Sequence, residues 1–202
     1  MPSQRDWYRL ILLSYNGPQA LAMLKLVRID KTFPEMAKLS ALDREAFPPE
    51  EYISPEELIK MAEGDNFDFW GLFDEERFVG FMAVMLYQDL CYLFFLAIAK
   101  ELRGQGYGAQ ALALLLTRYP HKHQVVDMEQ LEPGASNESQ REIRRAFYLR
   151  NGYRPTGYGL TYLGVDYEIL CVGPSFDFEA FQGLMKQIRI SGFKPRYYEE
   201  RR

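Results

Sequence analysis

Three glycines within five residues follow an arginine in the run Arg103-Gly104-Gln105-Gly106-Tyr107-Gly108. The chemistry that such a run suits is anion binding. Glycine permits a tight strand-to-helix turn and lets a ligand approach the backbone closely. The first N–H groups of the helix that follows have no partner within it, and the positive end of its dipole lies behind them. A diphosphate fits that arrangement, and Arg103 can add a charge-assisted contact. The same glycines also suit a plain tight turn. A nucleoside-triphosphate loop is disfavoured, because the Gly-Lys-Ser/Thr ending is missing. The Rossmann pattern is met in glycine spacing alone, without a first βαβ unit near the chain start.

Other reactive groups offer less. Cys91 and Cys171 match no metal or redox spacing and read as buried, reduced thiols. His121 and His123, the only histidines, share the segment Tyr119-Pro120-His121-Lys122-His123 and read as a connecting loop. No metal site is expected.

The glycine run needs an apolar strand before it and a periodic helix after it, and the sequence supplies both. Cys91 to about Ala99 reads as a strand. From Tyr107 to about Arg118 the residues Leu112, Leu115, Leu116 and Tyr119 recur at helical steps. Upstream, Leu24 to Ile29 reads as a first strand and Phe33 to Ala46 as a helix stopped by Pro48-Pro49. Ser54-Pro55-Glu56-Glu57 announces another helix through a capping box with proline in its first turn. Two strands, Phe67 to Phe73 and Phe78 to Leu86, flank a polar turn. The second is apolar enough for a central position.

Downstream, Gln124 to Glu129 reads as a strand and Ser139 to Arg150 as a helix. Ile143 and Phe147 are expected on its core face, with Arg141, Arg144, Arg145 and Tyr148 on a polar one. Two strands follow, Tyr153 to Tyr162 and Tyr167 to Val172. A terminal helix from Phe178 to Ile188 precedes a charged aromatic tail. The expected fold is α/β, with a mixed, mostly antiparallel central sheet flanked by helices.

At 202 residues the chain can bury one substantial core. Its hydrophobic content of 48% is ample for that, and a net charge of -4 gives no basic field for wrapping nucleic acid. The apolar run Leu10 to Leu13 is too short to span a membrane. A cytoplasmic location is expected by default, with no membrane partner.

Two segments carry a resemblance. The run from Leu96 through Gly108 is similar to the signature of the GNAT superfamily of N-acetyltransferases. Its Arg/Gln-x-x-Gly-x-Gly/Ala element is met by Arg103, Gly106 and Gly108. Ala146-Phe147-Tyr148-Leu149-Arg150-Asn151-Gly152-Tyr153 resembles the family's second characteristic segment, and the order of elements from Leu24 to Val172 also fits. The resemblance implies an acyl-CoA N-acyltransferase domain over residues 24–173. An extension over 1–23 precedes it, and a helix and tail over 174–202 follow.

What the resemblance further implies is acetyl transfer from acetyl-CoA, as cosubstrate, to a small-molecule amine or peptide acceptor. The cofactor's diphosphate would meet Gly104, Gln105, Gly106, Tyr107 and Gly108, with Arg103 nearby. Its pantetheine arm would run along Leu96, Ala97 and Ile98. Tyr148 takes the place of the family's general acid. The usual glutamate on the strand before the loop is replaced by Phe94, flanked by Phe95. Glu129 is the best substitute base, with Glu45, Asp127 or a water chain as alternatives. Arg141 stands where many members carry the asparagine that assists the cofactor arm, so that role is not assigned to it; phosphate contact or solvent exposure is expected instead. The acceptor walls would include Phe47, Tyr52, Phe69, Trp70, Tyr158 and Tyr162. An exposed sheet edge and the terminal helix point to a homodimer. Two other readings compete: a non-catalytic CoA-binding module and a nucleotide-binding regulatory domain.

Overall fold

A computed structural model describes residues 24–47, 49, 52–173, 175–189 and 193–199. The N-terminal extension, Pro48 and the last three residues of the tail lie outside them. The described residues divide into two compact units, one within residues 24–86 and 92–120, the other within residues 87–91 and 121–199. As expected, the strands are mostly antiparallel in a mixed sheet with flanking helices.

In the first unit the strand order is β1 (Lys25–Arg28), β2 (Phe67–Asp74), β3 (Arg77–Tyr87) and β4 (Leu90–Ile98). Residues Phe78 to Met85 of β3 are buried without a break, as a central strand requires. Their core includes Phe81, set edge-to-face on Phe69 with centroids 5.7 Å apart. The backbones of β3 and β4 pass so closely at Gly80 that an added Cβ would lie 2.2 Å from the Ala97 carbonyl oxygen. Only glycine fits there.

Helix α1 spans Met36–Ala46, three residues shorter at its start than the apolar pattern suggests. Phe33 is instead a core plug, packed edge-on against Phe73 and Phe78. Helix α2 (Pro55–Met61) carries the anticipated capping box: Glu57 N–H donates to Ser54 Oγ and Ser54 N–H donates to the Glu57 carboxylate. Helix α3 (Tyr107–Arg118) buries Tyr107, Ala111, Leu112, Leu115 and Leu116.

In the second unit the order is β5 (His123–Glu129), β7 (Val165–Val172), β6 (Arg154–Tyr162) and β8 (Arg196–Glu199), antiparallel throughout. His123 opens a strand rather than sitting in a loop. Helices α4 (Glu138–Arg150) and α5 (Phe178–Met185) complete the unit. Strand β8 was not anticipated. Part of the charged aromatic tail pairs with β6 and covers an edge that would otherwise present unpaired backbone groups. Phe178 stacks on Tyr158 of β6 at 4.1 Å, and Tyr197 packs edge-on against Phe178. Among the described residues, no helix is long and apolar enough to cross a membrane.

Candidate active site

The first unit presents the glycine loop. Gly104 and Gly106 have φ values of 76° and 87°, in the left-handed region that favours glycine. Gly106 is the N-cap of α3 and offers no side-chain oxygen to the first-turn N–H groups. Residues 103–106 are exposed, and an added Cβ at Gly104 would meet nothing within 4 Å. Uncapped amides facing open space are what a diphosphate needs. The loop therefore fits the group that the sequence implies.

Its side chains are held from below. Tyr107, the first residue of α3, is 7% exposed and donates its hydroxyl to Asp74 at 2.6 Å, which raises the phenol's pKa. Gln105 donates to the Glu101 carbonyl. Arg103 Nε donates to the Ile98 carbonyl at 2.9 Å, and its guanidinium pairs with Glu45 at 2.9 Å. Arg103 thus ties three elements together: the end of β4, the loop and the last turn of α1. Along β4, Leu96 and Ile98 are half-buried and Ala97 is buried. Phe94 packs against Phe67, Tyr92 and Phe95, so no carboxylate stands at its position.

The second unit presents Tyr148. Its ring is 8% exposed and packs edge-on against Tyr153, whose hydroxyl donates to buried Gln124 at 2.7 Å. Burial pushes the Tyr148 phenol up to about 12; the positive charge of Arg144 opposes this and the negative charge of Asp127 adds to it. Among the described residues, no group hydrogen-bonds the Tyr148 hydroxyl. A protonated donor held by packing alone, with its proton uncommitted, has the properties of a general acid.

Helix α4 inverts the expected phase. Ile143 is 67% exposed and Phe147 half-buried, whereas Arg141 and Tyr148 are buried. Ion pairs supply the reason. Arg145 Nε donates to Glu168 on β7 at 2.6 Å. Glu129, at the end of β5, accepts from Asn137 and Arg144 at 3.0–3.1 Å and forms an ion pair with Arg141 at 3.1 Å. Arg141 also reaches the Gln130 carbonyl at 2.8 Å and Glu132 at 3.4 Å. It neither faces solvent nor stands free for a phosphate. These acceptors draw Arg141 and Arg145 inward while Arg144 stays exposed, and charge pairing overrides the hydrophobic pattern.

The anticipated acceptor walls are mixed. Phe69 is a core residue at 0% exposure, and Trp70 donates to Tyr119 at 3.1 Å within the first unit. Phe47 lies against Phe95 at 4.4 Å. One group escapes sequence reasoning altogether. Asp43, in the segment Leu42-Asp43-Arg44-Glu45, looks like an ordinary polar helix residue, yet it is 1% exposed. Among the described residues, neither of its carboxylate oxygens has a hydrogen-bond partner. No spacing or motif marks it.

Comparison with known proteins bears on both units. The sequence model of the Acetyltransferase (GNAT) family matches residues 34–153, which include the loop and Tyr148. A GNAT-family protein from Bacteroides thetaiotaomicron aligns with a TM-score of 0.61 at 23% identity, over 81% of this chain and 94% of that one. An aminoglycoside 6'-N-acetyltransferase complexed with coenzyme A aligns at 0.59 and 18%, over 76% and 99%. A GNAT-family acetyltransferase from Elizabethkingia anophelis with acetyl-CoA bound aligns at 0.51 and 14%, over 75% and 98%. No curated protein sequence matches this one. With more than half of its length matched by the family model, the chain belongs to the GNAT family of acetyltransferases.

Proposed function

We propose that the chain transfers an acetyl group from acetyl-CoA to a primary amine by direct attack on the thioester. The observation that carries this reading is the glycine loop, whose exposed residues 103–106 lead into an N-terminus of α3 that has no side-chain cap. Two structural relatives hold coenzyme A or acetyl-CoA, which supports the same cosubstrate here. Backbone amides of Gly104 to Gly108 bind the diphosphate, and Leu96, Ala97 and Ile98 flank the pantetheine arm. Arg103 contributes by exchanging Glu45 for a phosphate oxygen. An exposed ion pair of that kind is worth about 0–1 kcal/mol, so the exchange costs little.

Tyr148 donates its phenol proton to the departing sulfur. Glu129 is the less favoured base, because two donors and the Arg141 charge already hold its carboxylate and a proton would have to displace them. Its pairs with Arg141 and Arg144 suit the orientation of α4. The chain works as a cytoplasmic enzyme and pairs as a homodimer in this reading.

A second reading has its own support. Phe94 stands where the family's glutamate is usual, which favours a CoA-binding module without turnover. Calorimetry and product mass spectrometry separate the two. Acetyl-CoA should bind within roughly 1–1000 μM, the span of many enzyme substrates. Acetylated product from an amine panel supports the enzyme; binding without product supports the module, and no binding refutes both. Sedimentation giving only monomer rejects the dimer.

A further inference from the structure

Among the carboxylates of the first unit, Asp43 is the one whose place the fold does not explain. At 1% exposure, with neither oxygen partnered among the described residues, it carries a desolvation cost that an apolar residue would avoid. Leu39 and Leu42, the other buried residues of α1, avoid it in that way. The last turn of α1 also touches both elements of the cofactor side. Glu45 pairs with Arg103, and the Phe47 ring packs on Phe95 of β4. Two of the other places for a base are taken. Phe94 replaces one carboxylate, and Glu129 is held by two donors and an ion pair.

We propose that Asp43 binds the primary ammonium of the acceptor and takes its proton, an assignment that rests on the acyl-transfer reading above. A nitrogen that passes from ammonium to amide loses two protons. The first moves to an Asp43 oxygen and then to solvent, which frees the lone pair that forms the C–N bond as the C–S bond breaks. The second replaces the proton that the Tyr148 phenol gives to the sulfur. Burial pushes the Asp43 carboxyl up to about 6, with the Arg44 charge opposing and Glu56 of α2 adding to the rise. A carboxyl near 6 is mostly ionised at pH 7 and can accept a proton.

The full chain and Asp43→Asn test the assignment, after thermal unfolding shows that D43N is folded. The probes are acetyl-CoA with propylamine, phenethylamine and spermidine. At pH 7 the single-turnover rate should fall by about 10²–10⁴-fold, with acetyl-CoA affinity changed less than about twofold. The deficit should shrink by about tenfold per pH unit towards pH 9, as solvent supplies the free amine that Asp43 otherwise generates. A deficit constant in pH, or a D43N rate within about threefold of wild type, overturns the assignment. Carboxyl ¹³C NMR provides an arm that needs no turnover. The Asp43 resonance, identified by its loss in D43N, should titrate near 6 and move to lower pH when a probe ammonium saturates the site. A titration that none of the three probes moves removes the ammonium from Asp43. Wild type that binds no acetyl-CoA refutes the acyl-transfer reading separately, and the NMR titration still decides Asp43.

Discussion

The glycine loop and helix α4 carry the two halves of the proposed chemistry, and they are built by opposite means. The loop works by leaving things out: no Cβ at Gly104 or Gly106, no side-chain cap on α3, and open space beside Gly104. Helix α4 works by crowding things in. Arg141, Arg145 and Tyr148 lie on its inner face, and three ion-paired arginines fix it to Glu129 and Glu168. A site made of backbone depends on where side chains are missing. One made of buried charge depends on partners from elsewhere in the chain. The first should tolerate surface changes and fail at glycine, whereas the second should fail at single charges and single hydroxyls.

The largest expected effect lies on α4. Tyr148→Phe keeps the ring against Tyr153 and removes the only proton the residue can give. The single-turnover rate should fall by about 10²–10⁴-fold, with acetyl-CoA affinity nearly unchanged. A phenol raised to about 12 keeps its proton across the neutral range, so the wild-type rate should show no limb from Tyr148 between pH 6 and 9. A rate within about threefold of wild type would remove Tyr148 from the acid role.

Next in size is Arg145→Met. It leaves Glu168, whose side chain is 6% exposed, as a buried charge without its guanidinium. Breaking a buried pair from one side costs about 3–5 kcal/mol, which chemical denaturation will read directly. Adding Glu168→Gln should recover part of the loss, since the orphaned charge is then gone. A loss below about 1 kcal/mol for R145M would mean that packing alone sets the face of α4.

Gly106→Val tests the loop side and should act on binding rather than on stability of the core. At φ 87° a branched residue is strained by about 1–3 kcal/mol, and its Cβ stands beside the amides at the start of α3. Acetyl-CoA affinity should weaken about tenfold or more in a chain that still unfolds cooperatively. Unchanged affinity would reject the backbone contact.

What could be read from sequence follows the same division. Glycine spacing reports backbone conformation directly, so the loop, its strand and its helix were legible from Arg103 to Gly108. The capping box at Ser54 was legible for the same reason, because its partners lie three residues apart. Helix α4 was legible as a helix, but its phase was not. Ile143 and Phe147 satisfy an apolar pattern, while the acceptors that draw Arg141 and Arg145 inward lie on β5, the following loop and β7. Strand β8 was missed because four residues, two of them charged, gain their strand character only from the edge of β6. Asp43 was missed because burial without a partner leaves no trace in spacing.

The smallest expected effect is the sharpest test of the inverted phase. Ile143→Lys places a charge at a position that hydrophobic periodicity assigns to the core. Were that assignment right, the substitution would bury an unpaired ammonium and cost several kcal/mol. With Ile143 67% exposed, the lysine meets water instead, and substitutions at such positions usually fall within about 0.5 kcal/mol of neutral. Lysine is also a slightly better helix former than isoleucine, which offsets part of any lost contact. Denaturant unfolding of I143K beside R145M compares two residues of the same turn. Near-zero change for the apolar residue and a large loss for the charged one is the outcome expected if ion pairs orient α4. A loss in I143K as large as that in R145M would restore the hydrophobic phase and put Tyr148 on a different face.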